Sequence, residues 1–478
     1  MKRSFILYTI LIGIFAGLIW FEIDLGQKLI PISKQSILLQ KTVDKSISAD
    51  GKTNDTIWKQ IFQNSKSPLG LLLLQIITIL LVSKLFGLAI AKIGQPSVVG
   101  EMIAGIFLGP SLMGLVFPQF SQFLFPKDSL ATLQFLSQIG LAFFMFIIGM
   151  ELDSSKLKNK AQSALVISHA SIIFPYFLGV LSAYFLYQKF APANVGFTAF
   201  ALFMGIAISI TAFPVLARIL QERGLTKTSL GAIVITCAAF DDVTAWCILA
   251  TVVAIAKAGS LISALFTIML TFLFVFAMLF VVRPWINKLS SNYVNSKKIH
   301  KTFVVIVFLI LLLSAYITET IGIHALFGAF LAGVIMPNKL NIKELLKDKI
   351  EDVSILMLLP IFFVYTGLRT QIGLLNDGHL WLTCGIIIFI AVFGKFGGSA
   401  FTAKLMGHSW KDSFSIGALM NTRGLMELIV LNIGYDLGIL SPTLFAIMVL
   451  MALSTTLMTG PILDFINYFD KKHKSSLP

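Results

Sequence analysis

Apolar stretches of about 20 residues recur along this sequence from end to end, and they constrain its fold more than any other feature. Each stretch is long enough to cross about 30 Å of hydrocarbon as an α-helix. A membrane β-barrel would instead show shorter segments in which apolar and polar residues alternate. Only 13% of the residues are charged, where a soluble chain would carry roughly a quarter. The chain is therefore predicted to be an all-α polytopic membrane protein.

The N-terminal residues 1–20 combine a basic start with a short apolar stretch, which is the pattern of a signal peptide or an uncleaved signal anchor. No A-x-A-like cleavage site follows, and this favours the anchor. Residues 21–67 are polar and are expected to form an extracytoplasmic segment. The membrane domain is predicted over 68–466, and residues 467–478 are predicted to be a short cytoplasmic tail.

The membrane domain is predicted to contain about thirteen helices. Their predicted spans are 68–91, 97–116, 130–150, 161–187, 194–220, 228–256, 260–285, 301–319, 321–337, 352–369, 380–404, 411–435 and 440–464. Two of these helices have polar interruptions, and each lies next to a helix with a charge in mid-membrane. This arrangement is the one that two inverted repeats would produce.

Lysine and arginine residues fall mostly in alternate loops, and this bias indicates the orientation of the chain. If the N-terminus is cytoplasmic, the basic loops and the C-terminal tail are cytoplasmic as well. The basic residues on this side are Lys2, Arg3, Lys156, Lys158, Lys160, Arg223, Lys227, Lys288, Lys297, Lys298, Lys301, Lys339, Lys343, Lys347, Lys349, Lys471, Lys472 and Lys474. The net charge of +14 is therefore attributed to topology, and no nucleic-acid partner is expected.

Two adjacent carboxylates, Asp241 and Asp242, lie in the middle of the predicted helix 228–256. A charge at that depth is costly, and intramembrane acids usually belong to ion or proton pathways. Successive residues of a helix point about 100° apart, so one carboxylate can face a pathway while the other faces a neighbouring helix. The alternative is a pair of buried acids satisfied by hydrogen bonds with no part in transport. The ion-site interpretation is favoured.

Lys395 is the natural partner for one of these acids, because it also lies in mid-span, in the predicted helix 380–404. The glycines around it, at 394, 397 and 398, would let another helix approach closely. Snorkelling of the lysine to the membrane surface is the alternative, but the depth of the residue disfavours it. An ion pair between Lys395 and an aspartate is therefore expected.

Two predicted helices carry helix-breaking and polar residues in the middle of the span. These residues are Thr211 and Pro214 in the first helix, and Asn421, Thr422 and Gly424 in the second. Interrupted backbone within a membrane is tolerated only where it lines a cavity or is buried in protein. A simple proline kink would explain the first helix alone. Together with the acid pair, the two interruptions predict an ion site near the membrane midplane.

Other polar residues in the spans receive a structural interpretation. Arg423 and Glu427 are four residues apart on one helix face, so they are expected to pair and to support the interrupted helix, with a direct substrate role as the alternative. A structural role is favoured for His324, which could otherwise sense pH. His169 is ambiguous in the same way. Glu101 is interpreted as structural or as a gate contact.

Several motifs are absent from the sequence. It contains no GxxxxGK[ST] phosphate loop, no TVGYG-like selectivity filter and no HExxH zinc motif. The three cysteines, Cys237, Cys247 and Cys384, lie inside apolar runs, so neither a disulfide framework nor a metal site is expected. No enzymatic activity and no cofactor are predicted, and the energy for transport is expected to come from an ion gradient or from a partner.

Six stretches of the sequence resemble members of the monovalent cation:proton antiporter-2 family, which includes bacterial sodium/proton antiporters and plant cation/H⁺ exchangers. They are IGQPSVVGEMIAGIFLGPSLMG (93–114), SITAFPVLARIL (209–220), FDDVTAW (240–246), IGIHALFGAFLAGVIMP (321–337), GKFGGS (394–399) and GALMNTRGLMELIVLNIG (417–434). Because the matches occur in order across most of the membrane domain, together they are far more specific than any single motif.

The resemblance implies secondary antiport of Na⁺ or K⁺ against protons across the cell (inner) membrane. It implies that Asp242 carries the cation and the proton in competition, and that Asp241 pairs with Lys395. The residues that line the helix crossing would be Thr211, Asn421 and Thr422. Family members with two acids and this lysine tend to be electrogenic, so more than one proton per cation is expected.

The resemblance also implies a fold of two inverted repeats with crossed, discontinuous helices, usually assembled as a homodimer within the lipid bilayer. One domain, drawn mostly from 161–256 and 380–464, would slide in an elevator-like motion against the domain that holds the dimer contact. Two alternatives stay open: a Kef-like gated K⁺ efflux system or channel on the same scaffold, and a membrane sensor that binds an ion and signals.

Overall fold

The structure, a computed structural model, describes residues 2–26, 67–151, 161–225, 228–257, 261–295, 298–337 and 342–475. Most of the predicted polar segment 21–67 lies outside the described residues, and so do Lys156, Lys158, Lys160, Lys227, Lys297 and Lys339. The described residues form helices and turns, with one small antiparallel hairpin that pairs β1 (Val294–Asn295) with β2 (Lys298–Ile299). The predicted all-α architecture is confirmed.

The first part of the chain holds ten helices among the described residues. They are α1 (Lys2–Gly26), α2 (Pro68–Lys92), α3 (Ser97–Leu108), α4 (Met113–Val116), α5 (Pro118–Leu124), α6 (Leu130–Glu151), α7 (Ala161–Phe190), α8 (Phe197–Ser209), α9 (Phe213–Glu222) and α10 (Ser229–Lys257). A connecting stretch follows, made of α11 (Leu261–Ala277), a π-helical turn (Met278–Val282) and α12 (Arg283–Tyr293).

The second part contains nine helices among the described residues, and π-helical turns join two pairs of them. They are α13 (Lys301–Ile321), α14 (Ala325–Val334), α15 (Ile342–Asp352), a π-helical turn (Val353–Leu358), α16 (Leu359–Arg369), α17 (Gly378–Val392), a second π-helical turn (Phe393–Gly397), α18 (Gly398–Leu405), α19 (Trp410–Met420), α20 (Leu425–Asp436) and α21 (Pro442–Ser475). Short 3₁₀ turns lie at Lys127–Ser129 and Ile372–Leu374.

Ten helices or continuous helical stretches among the described residues are long and apolar enough to cross a membrane. The pair α19 and α20, bent by 41°, would make an eleventh span, and α8 and α14 are shorter apolar helices. The predicted spans differ from the structure mainly at their ends. The helix predicted over 97–116 stops at Leu108, because Gly109 and Pro110 follow and proline cannot continue a helix. The last helix runs on to Ser475, so the predicted tail begins inside it.

Close packing at glycines shows that the two halves of the chain repeat each other. The fourth residues of α3 and α14 are Gly100 and Gly328, and a Cβ at either would overlap the backbone of the preceding long helix, α2 or α13. The ninth residues are Gly105 and Gly333, and a Cβ there would overlap the backbone of a helix from the other half, α16 or α6. The partners are exchanged between the halves, as they would be in two interlocked repeats.

The helices divide into two groups, a core bundle and a flanking bundle. The core bundle consists of α7–α10 and α17–α21, in which α7 packs on α8, α10 and α18, and α19 packs on α10, α18 and α21. The flanking bundle consists of α2–α6 and α13–α16, in which α3 packs on α16 and α14 packs on α6. The N-terminal α1 lies on the core bundle, where Phe15 contacts the rings of Phe174 and Phe177.

Candidate functional site

The two predicted interruptions are both breaks in helices of the core bundle. α8 ends at Ser209, residues 210–212 follow without helical structure, and α9 begins at Phe213. Pro214 is the second residue of α9, a position where its missing N–H has no intrahelical acceptor to lose. In the other pair α19 ends at Met420, and α20 begins at Leu425.

The two breaks cross and are hydrogen-bonded to each other. The backbone N–H of Ala212 donates to the carbonyl oxygen of Thr422 at 3.0 Å. The hydroxyl oxygen of Thr211 lies 3.2 Å from the carbonyl oxygen of Met420 and 2.7 Å from Oδ2 of Asp241. One hydroxyl has a single proton to share between these two acceptors, so Thr211 connects the break of α19 to the acidic helix α10.

Gly424 makes the second break possible. Its φ of +138° and ψ of −123° lie in a region of backbone conformation that is essentially restricted to glycine. The residue stands directly before α20 and turns the chain from the crossing into that helix.

Asp241 is buried and fully engaged in hydrogen bonds. Its Oδ1 accepts from the hydroxyl of Ser168 at 2.6 Å, and its Oδ2 accepts from Ser171 at 2.8 Å and from Thr211 at 2.7 Å. The ammonium group of Lys395 lies 3.0 Å from the same Oδ2. Four donors around one carboxylate hold it in a fixed place and compensate for the loss of water.

Lys395 lies in the π-helical turn between α17 and α18, and it is buried as completely as Asp241. Besides Asp241, its ammonium group donates to the carbonyl oxygen of Ser209 at the end of α8. Gly394 and Gly398 flank it, and a Cβ at either would come within 2.9 Å of α7, at Pro175 or Phe174. Gly394 and Gly398 therefore let α7 approach closely beside the lysine, as the sequence predicts. The prediction is wrong for Gly397, where a Cβ would meet no atom of the described residues within 4 Å.

The environment of Asp242 is the opposite of that of its neighbour Asp241. Its side chain is 0% exposed, and neither carboxylate oxygen accepts a hydrogen bond from any described residue. An ionised carboxylate in such a place carries a large desolvation cost unless a proton or a cation compensates it. Buried polar groups without partners are rare in folded proteins, and each one calls for an explanation.

Arg423 and Glu427 pair as predicted, with 3.2 Å between Nη1 and Oε1, and both are buried. The guanidinium group also donates to the carbonyl oxygens of Ala207 and Ile208 in the last turn of α8. Lys395 donates to the carbonyl oxygen of Ser209 at the same helix end. The cationic side chains of Arg423 and Lys395 therefore both cover the negative end of the α8 dipole. Sequence spacing predicts the pair but not these contacts.

Four hydroxyl side chains of the site escape prediction from the sequence. On α7, Ser168 and Ser171 donate to Asp241. On α21, the hydroxyl of Thr456 donates to the carbonyl oxygen of Arg423 at 2.8 Å, and that of Thr459 lies 3.3 Å from the hydroxyl of Thr422. The only signal for them is polar residues at a spacing of three on an otherwise apolar helix.

Of the other polar residues named from the sequence, His324 and Glu101 belong to the flanking bundle, and His169 lies on α7 next to Ser168. His324 stands directly before α14, and its Nδ1 accepts from the backbone N–H of Leu326 at 3.3 Å. Oε2 of Glu319 accepts from the N–H of Ala325 at 2.8 Å, so both residues cap the start of this helix. Nδ1 of His169 lies 2.8 Å from the carbonyl oxygen of Leu165 on its own helix, and Glu101 lies in α3.

A second polar cluster joins the core bundle to the flanking bundle. Arg369, at the end of α16, pairs with Asp436 at the end of α20 and donates to Oδ1 of Asn432 at 3.1 Å. Its guanidinium carbon also lies 4.9 Å from the centre of the Tyr365 ring and 4.4 Å from that of Tyr435. Tyr365, Asn432 and Asp436 of this cluster, with side chains of α6 and α14, line a crevice between the bundles.

Comparison with known proteins agrees with this architecture. The family model described as "Sodium/hydrogen exchanger, transmembrane" matches residues 76–466. The Na(+)/H(+) antiporter NhaS4 of Synechocystis sp. is 42% identical over 393 residues, which cover 82% of this chain and 96% of that protein. Cation/H(+) antiporter 17 of Arabidopsis thaliana is 40% identical over 82% of this chain, and K(+)/H(+) antiporter 1 of Saccharomyces cerevisiae is 34% identical over 86%. The matched region spans 48% of each of these last two proteins.

A solved structure has the same fold. The sodium proton antiporter MjNhaP1 from Methanocaldococcus jannaschii aligns with a TM-score of 0.62, covering 83% of this chain and 97% of that one. The sequences are 13% identical in this alignment, so the likeness concerns the fold alone.

Proposed function

This chain belongs to the sodium/hydrogen exchanger family, and we propose that it exchanges a monovalent cation, Na⁺ or K⁺, for protons across a membrane, with both ions competing for Asp242. The names of its relatives support both cations, because one is a Na(+)/H(+) antiporter and another a K(+)/H(+) antiporter. Such exchange needs no covalent step and no cofactor, because the gradient of one ion drives the other.

The observation that carries the proposal is the contrast between the two adjacent acids. Asp241 accepts hydrogen bonds from three hydroxyls and one ammonium group, so a cation or proton would have to displace these donors to reach it. Asp242 is equally buried and has no donor among the described residues. Its two oxygens are therefore the ones available to a proton or to a dehydrated cation.

Charge balance in the core bundle supports competition at this one residue. Lys395 balances Asp241, and Arg423 balances Glu427, so the remaining buried charge at the site is that of Asp242. As long as Lys395 keeps its proton, a core that holds either a proton or a cation at Asp242 is neutral, while a core that holds neither carries one negative charge. Moving an uncompensated charge through a low-dielectric barrier is costly. The loaded core therefore crosses more readily than the unloaded one, which couples the two fluxes.

The proposed movement is an elevator-like displacement of the core bundle against the flanking bundle, which would hold the contact of a homodimer. All the groups named above belong to the core bundle, including the crossing of α8–α9 with α19–α20. The site can therefore move as one unit without losing its internal hydrogen bonds. The crevice between the bundles and the polar cluster around Arg369 lie where such a displacement would act.

Exchange is proposed to be electrogenic, with more than one proton released for each cation bound. Lys395 supports this step because it lies 3.0 Å from Asp241, the neighbour of the proposed carrier. If a cation at Asp242 also drew Asp241 away from Lys395, the lysine would lose its counter-ion and would release a second proton.

The basic end of the protein, where Arg223 pairs with Asp464 and Lys411 with Asp470, is proposed to face the cytoplasm. The chain is proposed to lie in the inner membrane of the cell.

The test is ion exchange by the purified protein in liposomes with an internal pH dye, on addition of Li⁺, Na⁺, K⁺ or Rb⁺. Asp242→Asn is expected to abolish exchange with every ion, because a carboxamide does not take up and release a proton near neutral pH and carries no negative charge for a cation. Asp464→Asn is the matched control: it removes the carboxylate of an exposed ion pair on α21 and is expected to retain exchange. Exchange that survived in Asp242→Asn would place the carrier elsewhere, and a cation current without proton movement in the wild type would favour a channel.

A further inference from the structure

We propose that the side-chain oxygen of Asn421 is a further ligand of the transported cation and helps to determine which alkali ion the protein accepts. This inference rests on the proposed function, since it concerns a cation bound beside Asp242. It depends on a different part of the molecule, the end of α19 and the break that follows it.

Asn421 is the second buried side chain at the crossing whose polar atoms lack partners. It is 0% exposed, and neither its Oδ1 nor its Nδ2 forms a hydrogen bond with any described residue. The other polar side chains of the two breaks are engaged: Thr211 with Asp241, and Thr422 with Thr459. A buried amide is nearly always hydrogen-bonded, so the lack of partners at Asn421 calls for an explanation. A bound cation would supply one, because the amide oxygen is available to coordinate it.

Asn421 and Asp242 each directly follow a residue that takes part in one shared polar contact. The hydroxyl of Thr211 lies 2.7 Å from Asp241 and 3.2 Å from the carbonyl oxygen of Met420, so these two residues meet at one oxygen atom. Asp242 and Asn421 are the residues that directly follow them, each one Cα–Cα step of about 3.8 Å along the chain. The helices that carry them, α10 and α19, also pack against each other.

The electrostatics of the two breaks differ in a way that favours a cation on the side of α19. The C-terminal ends of α8 and α19 both reach the crossing, and each presents carbonyl oxygens with partial negative charge. The end of α8 is already covered by the side chains of Lys395 and Arg423. The carbonyl oxygens in the break after α19 are met by neutral donors instead, such as the backbone N–H of Ala212 at Thr422.

The chemistry of an amide oxygen suits this role. Hard cations bind oxygen ligands, and the choice among alkali ions depends on the number and field strength of the oxygens around them. Asp242 supplies the charge that a cation and a proton can both neutralise. Asn421 would supply a neutral dipole that a cation uses and that a proton does not need. Its loss should therefore weaken the binding of the cation more than the binding of the proton.

The experiment compares Asn421→Leu and Asn421→Ser with the wild type in proteoliposomes supplied with Li⁺, Na⁺, K⁺ or Rb⁺. Loss of even an outer-shell partner lowers metal affinity by about 10–100-fold, so the leucine variant is expected to raise the cation KM at least about tenfold. Its kcat at saturating cation should change much less. The serine variant keeps an oxygen on a shorter side chain, so it is expected to change the order of preference among the four ions. Ser83→Ala is the matched control, because it removes a buried hydroxyl on α2 of the flanking bundle that likewise has no partner among the described residues.

A binding measurement decides the question even if a variant transports nothing. Alkali ions that bind the folded state raise its melting temperature in detergent. The ion-induced shift is expected in the wild type and in Ser83→Ala, and it should be lost in Asn421→Leu. Without ions the leucine variant should melt no lower than the wild type, since an unpartnered amide contributes no hydrogen bond to the fold.

The two proposals fail in different ways. A wild-type protein that moved no protons in response to any cation would overturn the proposed function. A wild type that exchanged ions, with Asn421 variants that kept its KM, its ion order and its ion-induced shift, would overturn only the role of Asn421. A marked fall in the melting temperature of ion-free Asn421→Leu would also overturn it, because the amide would then be structural.

Discussion

Asp241 and Lys395 lie 154 residues apart in the sequence, and their side chains form an ion pair 3.0 Å long in the interior of the core bundle. Asp242, one position further along the same helix, has no such partner among the described residues. Two neighbouring acids therefore have opposite surroundings. In the proposed function this difference assigns a structural role to Asp241 and the binding of the transported ion to Asp242.

Removing the lysine from this pair is expected to destabilise the fold. Lys395→Ala leaves a buried carboxylate without its counter-charge, at a cost of about 3–5 kcal/mol. The double variant Asp241→Asn/Lys395→Ala should recover a large part of that loss, because it leaves no uncompensated charge. Unfolding of the purified proteins in detergent measures both values.

Lys411→Ala provides the reference for that measurement. It removes a partly exposed lysine that pairs with Asp470, and such pairs contribute about 0–1 kcal/mol. A double variant as unstable as Lys395→Ala itself would show that the lost stability comes from packing of the lysine stem and not from the charge of Asp241.

Competition at Asp242 predicts a specific dependence of transport on pH. If one carboxylate holds either a proton or a cation, protons act as a competitive inhibitor of cation binding on the same face of the membrane. A fall of one pH unit should then raise the apparent KM for the cation by up to about tenfold for each proton that the cation displaces, with kcat at saturating cation unchanged. Initial rates over a grid of pH and cation concentration measure this. A fall in kcat with no change in KM would contradict a shared site.

The charged residues of the site were predictable because they are anomalies in the sequence. Asp241, Asp242 and Lys395 interrupt apolar runs in which any charge is costly, so their presence alone indicates a function. The breaks were predictable for a related reason, since glycine, proline, threonine and asparagine together disfavour a continuous helix.

The partners of these residues were not predictable in the same way. Serine and threonine are common in membrane helices and can bond to the backbone of their own helix, so nothing local marks Ser168 and Ser171 as donors to Asp241. Arg423 shows the same limit, because its spacing to Glu427 is visible in the sequence while its contacts with the end of α8 depend on how distant helices cross. Which of the two acids lacks a partner likewise follows from the tertiary structure.

The cluster around Arg369 is expected to restrain movement between the two bundles. Arg369→Ala removes the ion pair with Asp436 and the hydrogen bond to Asn432, and bonds to charged groups contribute about 1.5–3 kcal/mol each. The crevice should therefore open at least about tenfold more often. A single cysteine at Ser137, which lines the crevice, would report this through its rate of modification by a membrane-impermeant thiol reagent, in a protein whose three native cysteines are replaced.

Arg369→Lys refines that measurement. It keeps the charge but loses the planar group that lies against Tyr365 and Tyr435, so its modification rate should fall between those of the wild type and of Arg369→Ala. Equal rates in all three proteins would show that the cluster does not restrain the bundles.

Gly424 gives the most direct test of the second break. Its φ of +138° is a conformation that other residues rarely adopt, so Gly424→Ala should cost at least about 1–3 kcal/mol through backbone strain and should slow exchange by displacing the neighbours of the crossing. Gly385→Ala is the matched control: it lies within α17 with open space around its Cα, and alanine there should stabilise the helix by about 0.5–1 kcal/mol. Melting temperatures and exchange rates of the two variants show whether the second break requires glycine at position 424. Equal behaviour at the two positions would mean that the chain can pass the crossing without the conformation that only glycine adopts readily.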